Sequence, residues 1–185
     1  MNSEEIKAIQ EKIGTAPDGH WGPKSIEAAK IYLHRLNAHN RIWPGTSQAE
    51  LTAFYGQAGD ESRLVNLPAP DGIFYEGKQV RTIRCNARVA DSLGRILQRL
   101  VKEFPHIAKE YAGCFNNRAM RGGSTPSLHA RGAAVDFDPD NNGNHTHWPA
   151  AATMPWGVME IFASEGWKPA GVFWSRDAMH FEATR

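Results

Sequence analysis

Ser127-Leu128-His129-Ala130-Arg131-Gly132-Ala133-Ala134-Val135-Asp136 is the stretch on which the reading of this chain turns. It sets an imidazole and a carboxylate seven residues apart, with small residues between them that let the backbone pass close to whatever those side chains hold. Neutral imidazole nitrogen and carboxylate oxygen are both zinc donors, and a catalytic zinc site takes three protein ligands and keeps one position open for water. A third donor stands near the C-terminus. Trp174-Ser175-Arg176-Asp177-Ala178-Met179-His180-Phe181-Glu182 offers His180, with a second carboxylate, Asp177, three residues before it. The two stretches together can build a two-histidine, one-aspartate site from His129, Asp136 and His180, with a spare acid beside it.

The order Ser-x-His-x-x-Gly-x-Ala-x-Asp followed by Asp-x-x-His resembles the signature of the VanY-like D-Ala-D-Ala carboxypeptidases and the related L-alanyl-D-glutamate endopeptidases of phage and bacteria. These are zinc peptidases that cut the peptide stems of peptidoglycan. The resemblance runs from about Trp43 to the C-terminus, through Phe54-Tyr55-Gly56, Arg118-Ala119-Met120-Arg121-Gly122-Gly123 and Met179-His180-Phe181-Glu182. It implies Zn2+ held by His129, Asp136 and His180, and Asp177 as the group that takes a proton from water and passes it to the leaving amine. It implies Arg118 as the partner of the developing oxyanion or of a substrate carboxylate, with Arg121 the close competitor. Ser127 is expected to donate a hydrogen bond near the ligands or to substrate, Trp174 to wall the pocket or lie in the core, and Glu182 to orient His180. Gly132 and Ala134 keep the backbone slim. Relatives often carry Trp-Gly-Gly-x-Trp after the Gly-Trp pair, where this chain has Gly166-Trp167-Lys168-Pro169-Ala170-Gly171-Val172-Phe173-Trp174, so the pocket rim is expected to differ.

The rest of the sequence sets bounds. A length of 185 residues suits one domain with a small appendage, and a formal net charge of +1 provides no basic field for nucleic acid. The N-terminus has no basic and apolar signal, and no apolar run is long enough to cross a bilayer, so synthesis in the cytoplasm, no membrane partner and action at the wall after release are expected. Cys85 and Cys114 are widely spaced and read as packing residues, with a late disulfide the minority reading.

Ile6, Ile9 and Ile13 recur at helical spacing before Gly14, and Pro23 opens a second helix carrying Ile26, Ala29, Leu33 and Leu36. The pattern around Asp18-Gly19-His20-Trp21-Gly22-Pro23 resembles the front of a peptidoglycan-binding repeat; the plainer reading is a helical hairpin packed on the catalytic domain through Trp21. Residues 37–77, rich in Gly, Pro, Asn and Asp, read as a long connector pinned by aromatics. The clearest helix carries Val89, Leu93, Ile96, Leu97, Leu100, Val101 and Phe104 on one face, with Asn86 as its expected N-cap and Gly94 inside it. Residues 133–137 read as a strand, 155–165 as a helix closed by Gly166, and 167–182 as a strand pair. Asp138-Pro139-Asp140-Asn141-Asn142-Gly143 opens like a calcium loop but has Pro149 where a bidentate Glu is required, so it reads as a polar turn, and His145-Thr146-His147 reads as solvent-facing.

The expected fold is α+β: a small antiparallel sheet carrying the zinc site, packed against helices, with a helical hairpin over 1–42 and the peptidase domain over 43–185. The expected function is a monomeric zinc peptidase of peptidoglycan stem peptides, cutting an internal L-alanyl-D-glutamate bond as endolysins do. D-Ala-D-Ala carboxypeptidase or dipeptidase activity is the alternative, and a non-catalytic wall-binding protein with structural zinc is the alternative of another class.

Overall fold

A computed structural model describes residues 1–37 and 42–185. Helix α1 (Ser3–Ile13) starts in a reciprocal cap in which the Asn2 side chain accepts from the Glu5 backbone N–H and Glu5 answers to Asn2, and it stops at Gly14 in the left-handed region (φ 80°). Helix α2 (Pro23–Arg35) begins at its proline. The turn between them is held by Gln10, whose buried amide donates to Asp18, His20 and Ser25. The join from this hairpin to the remainder runs through 38–41, outside the described residues, and so does that part of the expected connector.

The remainder of 37–77 is more than a connector. Helix α3 (Gln48–Tyr55) is capped by Ser47, whose hydroxyl accepts from the Glu50 N–H, and buries Leu51 and Tyr55. Strand β1 (Leu64–Pro68) pairs antiparallel with β4 (Thr82–Asn86), and β2 (Phe74–Tyr75) pairs with β3 (Lys78–Gln79) in a small hairpin. Aromatic pinning is real all the same: Phe54 packs edge-on against both Trp43 and Tyr55.

Helix α4 (Ala90–Glu103) buries Leu93, Ile96, Leu97 and Leu100, the apolar stripe that its spacing predicts. Asn86 does not cap it. The helix begins after Val89, and the Asn86 amide is drawn instead to the carbonyls of Tyr55 and Arg131, because a buried amide must find partners where the packing leaves it. Gly94 meets only Leu67, whose methyl would stand 3.6 Å from an added Cβ, so no tight approach requires it. Pro105 lies just beyond this helix and opens the short α5 (Pro105–Ala108).

The central sheet has four antiparallel strands in the order β5 (Tyr111–Gly113), β6 (Ala134–Phe137), β8 (His180–Glu182), β7 (Lys168–Pro169). The expected pair over 167–182 is thus formed, with the short α8 (Ala170–Phe173) interposed. Alternation along β8 decides what each side chain meets. Phe181 turns to α7 (Trp156–Ser164) and stacks on Phe162 with ring centres 3.8 Å apart, while His180 and Glu182 turn to the opposite face. Asp138–Gly143 is indeed a polar turn, built round the short α6 (Pro139–Asn142). The fully buried Asn142 amide donates to Asp138 and its oxygen accepts from Thr153 and Met154.

The hairpin docks on α7. Trp21 packs edge-on against Trp148 at 5.0 Å, Tyr32 hydrogen-bonds Glu160, and Lys12 pairs with the same Glu160 at 2.6 Å. Ile9, Ala29 and Leu33 belong to the same buried cluster as the sheet and α4. Cys85 and Cys114 are both buried and unbonded to each other, as packing residues.

Candidate metal centre

Three strand and turn positions bring the donors together. His129 lies on a 3-10 turn (Leu128–Arg131) whose first residues are fixed by Ser127, the side chain of which accepts from the His129 N–H at 3.3 Å. Ser127 therefore shapes the turn that presents a donor. Gly132 closes the turn in the left-handed region (φ 64°), and an added Cβ would lie 2.8 Å from the Asn86 backbone nitrogen. The slimness anticipated there is required by β4. Asp136 and His180 face each other as paired residues of β6 and β8.

The donor atoms converge. Asp136 Oδ1 is 2.9 Å from His180 Nδ1 and 3.2 Å from His129 Nε2, and the two ring nitrogens are 3.2 Å apart. Ligand atoms about 2.1 Å from a tetrahedral ion stand about 3.4 Å from one another, so this triangle fits a zinc-sized ion with little adjustment. The free nitrogens are also committed. His129 Nδ1 lies 2.7 Å from the Cys114 carbonyl, which fixes the proton on Nδ1 and turns the Nε2 lone pair to the centre. His180 is reversed, offering Nδ1, with Nε2 3.5 Å from Glu182. Glu182 is in turn held by the Thr184 hydroxyl. Burial would push the Asp136 carboxyl up, yet hydrogen bonds to the two imidazoles hold it well below the usual range. Burial would likewise lower His180, but its carboxylate partners Asp136 and Glu182 carry it to about 10. A cation is strongly favoured in this position.

The cluster opens into a cavity of about 230 Å³ lined also by Arg118, Arg121, Ser127, Trp174 and Asp177. Asp177 sits in the left-handed region (φ 58°), and its Oδ1 is buried with no hydrogen-bond partner. Burial pushes its carboxyl up, and His180 opposes that rise. Among the described residues it forms no ion pair with Arg176. Trp174 is a wall and not core: 44% exposed, it stacks on the His180 ring at 5.3 Å. Arg118 and Arg121 both line the cavity, and neither pairs with Asp138, whose side chain is taken by Asn141 and Asn142. His147 bonds the Ser175 carbonyl from an exposed position.

Two contributors were not readable beforehand. Cys114 acts through its carbonyl, which side-chain identity does not encode. Arg131, 3% exposed, donates to Gly56, Gln48 and Thr52 with no carboxylate among its described partners, and so ties α3 to the turn bearing His129.

Residues 121–183 match a family model described as D-alanyl-D-alanine carboxypeptidase. No curated protein and no solved structure matches the chain. The matched segment carries the whole His129, Asp136, His180 triangle together with Asp177, Trp174 and Glu182, and Arg118 lies just outside it. Residues 121–183, which hold this centre, are thus similar to the D-alanyl-D-alanine carboxypeptidase family.

Proposed function

We propose that the protein is a zinc peptidase that hydrolyses peptidoglycan stem peptides, with His129, Asp136 and His180 as the metal ligands. The observation that carries this is the convergence of those three donors, both imidazoles oriented by a further group, on a cavity that is also lined by Asp177, whose buried Oδ1 has no hydrogen-bond partner. Zinc held there supplies Lewis acidity, polarising a carbonyl and acidifying water. Asp177 accepts a proton at Oδ1 and returns it to the leaving amine, a role suited to a carboxylate raised by burial. Arg118 and Arg121 supply positive charge at the cavity mouth for an oxyanion or substrate carboxylate. The Trp174 ring shields one face of His180 from water.

The bond we assign is internal, L-alanyl-D-glutamate. Support comes from a second cavity, about 330 Å³, which shares His129, Asp136 and Arg118 with the first, so that space continues past the donors on two sides. Trimming of a terminal D-alanine is the second reading, favoured by the description of the matched family. We place the action at the wall, with the 1–42 hairpin as an accessory wall contact. Digestion of purified peptidoglycan followed by identification of new termini separates the readings: free D-glutamate amino termini are expected, and release of D-alanine alone overturns the internal assignment.

A further inference from the structure

Asp177 stands in the cavity lining on a turn that side-chain-bearing residues seldom adopt. Ser175 (φ 60°) and Asp177 (φ 58°) both lie in the left-handed region, and neither is glycine. Two such residues within three positions persist only where surrounding contacts over-determine them. Arg176, between them, lines the same cavity. On the side of the metal ligand, the His180 N–H donates to the Asp177 carbonyl at 2.9 Å. The other side is held from a separate loop. His147 Nδ1 stands 3.0 Å from the Ser175 carbonyl oxygen, and the backbones of His147 and Arg176 meet in an isolated antiparallel bridge. A carbonyl oxygen only accepts, so this bond places the proton on Nδ1. The same loop meets the segment again further along, where the Met179 N–H donates to the Asn142 carbonyl at 3.0 Å.

A side chain can hold a turn only if it is itself anchored. The His147 carbonyl accepts from the N–H groups of Ala151 and Ala152 at 2.8 and 3.0 Å. The next residue, Trp148, is buried, its Nε1 donates to the Met154 carbonyl at 2.9 Å, and its ring stacks on Trp156. The imidazole thus projects, exposed, from a fixed base. An exposed hydrogen bond contributes little to overall stability, because water competes for both partners. Proton transfer is far more sensitive, since the transferring group must stay within hydrogen-bond reach of its proton and small misplacements cost rate steeply. We infer that His147 is a positioning residue of the peptidase, holding the Ser175–Asp177 turn so that Asp177 keeps its place in the cavity. This rests on the peptidase reading above and deepens it, because the residue that moves the proton is then placed from a loop that carries none of the metal donors.

The test compares zinc-loaded full-length wild type, His147→Ala and His147→Asn on peptidoglycan stem peptides, recording kcat, KM, zinc content and the denaturant midpoint of unfolding. Asparagine sets an amide N–H the same number of bonds from the backbone as Nδ1, so it can still reach the Ser175 carbonyl, and alanine cannot. His147→Ala is expected to lower kcat by about tenfold with KM, zinc content and midpoint unchanged, the pattern of an interaction that acts on the transition state. His147→Asn is expected to restore most of the rate. An alanine variant with wild-type kcat overturns the inference and leaves the peptidase reading intact. A loss that asparagine does not repair, or one that comes with lost zinc, a raised KM or a lowered midpoint, also overturns it, because the residue then acts in binding or in folding. If zinc-loaded wild type cuts none of the substrates, the peptidase reading fails and the positioning role fails with it.

Discussion

Gly132 and Gly94 are both glycines in regular segments, yet opposite outcomes are expected on substitution. Gly132→Ala forces a Cβ against the backbone of β4 at a left-handed position, so a loss of about 2 kcal/mol or more in denaturant unfolding is expected, with weaker metal retention because His129 rides on that turn. Gly94→Ala meets only an ordinary contact with the Leu67 methyl on an α-helix and is expected to stabilise by about 0.5–1 kcal/mol. The sequence motif distinguished these two, since Gly132 belongs to a spaced donor pattern and Gly94 interrupts an apolar stripe. The donors themselves were legible for the same reason: residue type, order and spacing are what metal chemistry constrains. The Cys114 carbonyl that sets the His129 tautomer was not legible, because any residue supplies a carbonyl and only the fold says which one arrives. Asn142 was half legible. Its polar turn was read, but its role as a buried hub depends on distant backbone N–H groups of Thr153 and Met154.

Helix α3 shows where reading by composition fails. Gly, Pro and Asn on either side made 37–77 look like a connector, while Ser47 followed by Glu50 is a helix-start signal that was present and outweighed. Ser47→Ala is expected to cost about 1 kcal/mol, measured by chemical denaturation, and a change near zero would show that tertiary packing alone holds the helix. The β1–β4 pairing was hidden because both strands are short and only β4 buries alternate residues, Ile83 and Cys85. The N-terminal hairpin was read correctly as two helices with Trp21 at their turn, and its contacts with Trp148 and Trp156 make it an anchor. Trp21 is only partly buried, so Trp21→Ala is expected to destabilise by about 1–2 kcal/mol, less than the truncation of an aromatic inside a core. Wall affinity measured on a stable variant of the exposed hairpin face, such as Ile31→Ser, then reports on wall contact apart from folding.

Burial across the molecule has one consequence in common for its thiols and phenols. Burial pushes Cys85 up to about 12 and raises Cys114, Tyr55 and Tyr111 as well. In the unfolded chain thiols ionise near pH 8.5, and in that range the folded protein keeps more protons than the unfolded one. Stability contributed by these groups is complete below pH 8 and declines as pH rises towards 12, so the melting temperature is expected to fall on the alkaline side. Thiol reagents at pH 8 should label neither cysteine until denaturant is added; rapid labelling of native protein would contradict their burial. The fold class was legible because apolar periodicity and the donor motif agreed on a sheet backed by helices. The strand order was not, since it depends on which short segments meet, with Phe181 on Phe162 and Tyr55 on Ala183 supplying the decisive contacts. The assignment that everything else serves is that His129, Asp136 and His180 hold zinc while Asp177 moves the proton. Zinc content and peptidoglycan hydrolysis should therefore be measured together for wild type and Asp177→Asn. Equal zinc in both, cleavage by wild type, and a loss of about 10²–10⁴-fold in the variant are predicted. An Asp177→Asn protein that cuts at the wild-type rate, or a zinc-loaded wild type that cuts nothing, would contradict it.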